Sequence, residues 1–206
     1  MSHIPSPVAT TQSPTFAELR ITGPDLAPYQ LGQLMYVYDG ETHVGTIGAV
    51  VVLRGGHEVH LDRFVPAVIQ MRHHWVPRSL VLVEAVAFLA EHFPAVRSIR
   101  VSLSSPIEGR DDFLKVARAR TRLLHWIGAQ QINVVPNFVP SDRGNFMVSG
   151  VWKRNPQTLK TFNAALRDER EAHRSRRAAP TTVRGRLAKV GERVRRMLFG
   201  STEKGI

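Results

Sequence analysis

Four basic side chains crowd one turn of this chain: Arg72, His73, His74 and Arg78 surround the point where an apolar, strand-like segment gives way to a helix begun by Pro77. The first N–H groups of a helix have no partner within it and carry the positive end of the helix dipole, so a turn of this composition suits an anion. Just upstream, Glu58, His60 and Asp62 alternate along a strand and so share one face, a set of groups able to take or give a proton. His73 and His74 are adjacent and point to opposite sides of an extended chain, with no third ligand at metal spacing, which argues against a metal centre. Cysteine is absent, which excludes disulfides, thiolate catalysis and Cys-based zinc sites.

The elements that hold these groups are legible as hydrophobic patterns. Residues 34–38 and 46–53 predict two strands joined across the Asp39-Gly40 turn, and Gly55-Gly56 leads into a third strand that carries Val59 and Leu61. Pro77 sits in the first turn of a helix that runs through His92 to a stop at Phe93-Pro94 and is apolar nearly all round, hence buried. Ile99, Val101 and Leu103 alternate as a strand, and a second helix runs through Ile127 to Gly128. Residues 131–135 and 146–152 predict two more strands, with Asp142, Arg143 and Gly144 in the turn between them. Residues 16–29 hold a short helix and a Gly23-Pro24 turn.

With 206 residues, 43% of them hydrophobic, the chain can bury one sizeable core. Residues 1–15 are rich in Ser, Pro and Thr and predict a disordered leader, residues 16–155 the domain, and residues 156–206 a basic helical tail with a hinge at 178–180. The net charge of +11 is concentrated in that tail: from Lys153 onward there are 15 Lys and Arg against five Asp and Glu, which leaves 13 against 12 before it. Val183, Leu187, Val190 and Val194 form one apolar seam on a helix, ringed by Arg184, Arg186, Lys189, Arg193, Arg195 and Arg196. Such a helix forms against something: its own domain, nucleic acid, an anionic membrane or a protein partner would suit it. No apolar run is long enough to span a bilayer, and the N-terminus has no secretory pattern, so a cytoplasmic protein is the expectation.

Three antiparallel strands, a helix, a strand, a helix ending at Gly, then two strands is an element order that resembles the GNAT acetyltransferase superfamily, over residues 33–154. Asp39-Gly40 resembles that family's hairpin turn, Asp62-Arg63-Phe64-Val65-Pro66 its fourth strand entering the cofactor loop, and Trp126-Ile127-Gly128-Ala129 its helix end before the sixth strand. The resemblance implies a GNAT-like α/β fold with a mixed, mostly antiparallel central sheet flanked by helices. It also implies an acyl-CoA-dependent N-acyltransferase, with acetyl-CoA as cofactor and an amine, of unknown identity, as acceptor. Arg72, His73, His74 and Arg78 would then meet the pyrophosphate, and the strand carrying Val65, Val68 and Ile69 would pair with the pantetheine arm. Glu58 or Asp62 would relay the amine proton. The family's loop is glycine-rich, whereas residues 71–78 here contain no glycine. The family's acidic Tyr falls at Leu124, which cannot donate a proton, so the neighbouring His125 is the candidate acid. The alternative is the same fold without catalysis, a structural or docking protein that acts through its tail as an oligomer or within a larger assembly such as a phage virion.

Overall fold

The computed structural model describes residues 18–48, 50–67, 76–103, 113–136 and 146–178. Val68, Ile69, Arg72, His73 and His74 lie outside the described residues, as do the leader and the six basic tail residues from Arg184 to Arg196. The chain divides into two units, Met1–Arg170 and Glu171–Ile206, and the described part of the second is the end of a helix.

The first unit is mixed α/β. From residue 18 on, the segment departs from the short helix expected over residues 16–29: β1 (Arg20–Thr22) is a strand, because Leu19 and Ile21 turn inward on either side of exposed Arg20 and the short segment pairs with the next strand. A single 3-10 turn at Pro24–Leu26 follows. The Asp39-Gly40 hairpin forms as the sequence predicts, β2 (Met35–Asp39) passing into β3 (Thr42–Gly48) with Asp39 opposite Thr42 and Gly40 at φ 59°. The strand expected over residues 46–53 begins earlier and comes in two pieces, β3 and β4 (Val51–Leu53). The third strand is likewise divided at Asp62, into β5 (Glu58–Leu61) and β6 (Arg63–Pro66).

The divided strands keep one register. Gly48 lies opposite Arg63 and, three residues further, Val51 lies opposite His60, so β3–β6 and β4–β5 are halves of one long ribbon. The outer half belongs to a sheet ordered β1-β2-β3-β6. The inner half belongs to a second sheet, which runs β4-β5-β7-β9-β8 with β7 (Ser98–Leu103), β8 (Gln130–Pro136) and β9 (Phe146–Lys153). Among the described residues all pairings are antiparallel except that of β5 with β7.

Helix α1 (Arg78–His92) begins directly after Pro77 and ends at Phe93. Nine of its residues are buried, which accounts for its apolar character on every side. Helix α2 (Phe113–Trp126) is closed by Gly128 at φ 80°: the Gly128 N–H donates to the His125 carbonyl and the Ala129 N–H to the Leu124 carbonyl, each at 2.9 Å. That pair of bonds is the Schellman ending, which favours glycine at its left-handed position. Helix α3 (Pro156–Ala178) opens with a reciprocal cap in which the Thr158 N–H donates to Asn155 Oδ1 and the Asn155 N–H to Thr158 Oγ1. Phe162 of α3 meets the fully buried Trp152 of β9 edge to face, 5.4 Å between centroids, which ties the start of α3 into the core. The succession of strands, helices and closing glycine is the one that the GNAT resemblance implies.

Candidate functional site

The parallel ladder between β5 and β7 stops short. It runs from Glu58 opposite Ser98 to Leu61 opposite Val101, after which the two chains part. Among the described residues, β6 continues on one side, paired only with β3, and β7 continues on the other to Leu103, paired only with β9. Two strand edges therefore face each other across an opening. Backbone N–H and C=O groups along an unpaired edge need partners, and an extended guest carrying amides can supply them.

This opening is a cleft with a cavity volume of about 60 Å³. Leu61 and Val101 close its inner end, Ile47 and Phe64 form one wall, and Val81 and Leu82 of α1 form another. The polar groups along it are Asp62, Arg63, Arg78 and Ser102. Arg78 is the first residue of α1, and no described side chain caps that helix, so the guanidinium and the first-turn N–H groups present positive charge together. The cleft thus combines apolar walls, unpaired strand edges among the described residues and positive charge at one end.

The residues singled out from sequence are distributed unevenly about it. Asp62 and Arg78 line the cleft, and Val65 stands on β6 with 46% of its surface exposed. Glu58 is buried, with Arg54 Nε and Arg100 Nε each 3.5 Å from a carboxylate oxygen, and is not part of the lining. His60 Nε2 lies 2.9 Å from Ser102 Oγ. His125 is exposed in the last turn of α2 and does not line the cleft. Leu124, where the resembled family has its Tyr, is fully buried, and its Cδ1 would lie 3.2 Å from a Cβ placed on Gly150.

Three lining residues carry no signal of their own in the sequence. Arg63 and Phe64 read as ordinary members of an alternating strand, and Ser102 as the polar partner of Val101 and Leu103. The available signal was relational: His60 and Ser102 are polar positions on strands that pair in parallel, Arg100 being the partner of His60, which places Ser102 one same-face step beyond.

No protein-family model and no curated protein matches the sequence. Among solved structures the chain is similar to an acetyltransferase from Thermus thermophilus, at 16% identity and TM-score 0.35, over 59% of this chain and 64% of that one. It is also similar to a crystal structure described as an acetyltransferase, at 14% identity and TM-score 0.42, over 65% of this chain and 62% of that one. A third is a Bacillus subtilis acetyltransferase in complex with CoA, at 10% identity and TM-score 0.39, over 61% of this chain and 78% of that one. The chain thus spans less than two thirds of the first two. Similarity of this degree assigns no cofactor, acceptor or catalytic residue to this chain.

Proposed function

We propose that this chain is a GNAT-like N-acyltransferase that holds acetyl-CoA in the cleft between β6 and β7 and passes the acetyl group to an amine. The observation that carries this proposal is the parting of β6 from β7 beside the start of α1, which no described side chain caps. It offers unpaired backbone for the amides of the arm and charge at Arg78 for its phosphates. When bound, the cofactor supplies an activated thioester. Asp62, the lining carboxylate, holds the proton given up by the amine, and the apolar walls exclude water from the inner end. Glu58 is engaged by two guanidinium groups and His125 does not line the cleft, so neither is given a role in this scheme.

The test is thermal denaturation with and without acetyl-CoA. A ligand at a hundred times its dissociation constant stabilises the native state by about 2.7 kcal/mol, a rise of about 5 to 10 °C for a chain of this size. Arg78→Ala should lose most of that rise. No rise in the unsubstituted protein would overturn the reading.

The charge concentrated after Lys153 supports a second, separable role for the tail in binding a phosphate-rich partner such as nucleic acid or an anionic membrane, or else a protein.

A further inference from the structure

Breaking a thioester leaves a thiolate, and the position that would answer it in the resembled family is the buried Leu124. The cleft holds another hydroxyl. Ser102 has 6% of its surface exposed, lines the cleft beyond the last rung of the β5–β7 ladder, and has Oγ 2.9 Å from His60 Nε2. A small buried hydroxyl backed by an imidazole is a proton donor with its own resupply.

We propose that Ser102 is the group that stabilises and protonates the departing sulfur, with His60 behind it as the positioning residue and proton source. This rests on the reading of the cleft as an acyl-CoA site. As the C–S bond breaks and its electron pair passes to sulfur, Ser102 gives its Oγ proton to the sulfur. It takes in return a proton carried by His60 Nε2. The proton lost by the attacking amine, received at Asp62 and released to solvent, balances the one that solvent returns to the His60 ring. Among the described residues, the charged groups about His60 are Glu58 and Asp62 on its own chain segment and Arg100 opposite it on β7, with Arg54 paired to Glu58. Residues Val51–Leu53 of β4 bring no titratable side chain.

The test needs no acceptor. CoA itself, with a free thiol, is bound to an excess of the full-length protein, and the thiolate is followed by ultraviolet absorbance as pH rises. A donor aimed at sulfur stabilises the thiolate, so the bound thiol should titrate below free CoA, and Ser102→Ala should raise that midpoint by about one unit, the scale of one hydrogen bond to a charged group. His60→Gln, which keeps a donor toward Ser102, should retain most of the lowered midpoint, whereas His60→Leu should lose it. Thermal shift on the same samples reports binding separately. If CoA stabilises both proteins and Ser102→Ala leaves the thiol midpoint unchanged, this assignment is overturned while the cofactor site stands. If CoA stabilises neither, both are overturned.

Discussion

Arg170 grips Glu84 with two parallel hydrogen bonds, Nε to Oε1 at 2.7 Å and a terminal guanidinium nitrogen to Oε2 at 2.8 Å. Glu84 is 2% exposed in the middle of α1, Arg170 lies 86 residues away on α3, and the Glu18 N–H donates a third bond to Oε1 at 3.2 Å. The hydrogen bonds that Arg170 donates to Glu84 raise the Arg170 pKa above its ordinary value, with burial opposing. Glu84→Leu or Arg170→Met alone should destabilise by about 3 to 5 kcal/mol, because the first leaves the partly buried Arg170 guanidinium and the second the buried Glu84 carboxylate without its main partner. The double substitution Glu84→Leu, Arg170→Met should cost less than either, since no buried charge remains. Urea denaturation of the four proteins measures the coupling, and additive losses would contradict it.

Gly45 sets how closely β6 approaches β3. A Cβ there would lie 2.5 Å from the Phe64 ring and 2.6 Å from the Val65 carbonyl oxygen, both on β6. Gly45→Ala should therefore cost about 1 to 3 kcal/mol and displace Phe64, weakening CoA binding together with stability. Gly48→Ala, whose Cβ meets nothing nearer than an oxygen at 3.8 Å, is the matched control and should be close to neutral. Thermal melts with and without CoA separate the two variants.

Burial pushes the Tyr29 hydroxyl up to about 12, against a smaller lowering by the Gly32 backbone. Its ring is held edge-on by Phe88 and Phe93. Since the folded value lies above that of the unfolded chain, the native state binds the extra proton between pH 10 and 12. Stability from this group is full below pH 10 and lost as pH climbs through 12. Tyr29→Phe should flatten that alkaline decline, read as the difference in urea midpoints between the two proteins across the window.

Association through the tail should be electrostatic. Replacing Arg184, Arg186, Lys189, Arg193, Arg195 and Arg196 by Gln should remove most binding to an unspecific DNA duplex at low salt. Binding by the unsubstituted chain should fall linearly in log–log form as salt rises. Fluorescence anisotropy at several salt concentrations checks both, and DNA binding that survives the six substitutions would place the contact elsewhere.

Local signals were legible where one residue type meets a unique backbone need. Pro77 starts α1, Gly128 at φ 80° closes α2, and Gly40 at φ 59° turns β2 into β3. The alternation of Ile99, Val101 and Leu103 was enough to give β7. What the sequence concealed depends on pairing across long separations. The interruption at Asp62 leaves the register intact, so no breaker residue was required to mark it. Glu84 reads as one polar residue on an apolar helix until Arg170 is found beside it. His60 and Ser102 are 42 residues apart and become a pair only when β5 and β7 align in parallel. Conversely, Glu58 has the residue type of a base, but its surroundings make it the centre of an ion pair.

Parted strands beside an open cleft also bear on how the protein behaves at high concentration. An uncovered strand edge is a template on which a second copy can add, the usual start of precipitation and fibre growth. Along this edge stand Asp62 and Arg63, and Arg78 faces it from α1. A copy docking there would have to strip water from all three charges. The charged residues along the cleft should thus also oppose self-association, and neutralising them together should leave a more adhesive edge.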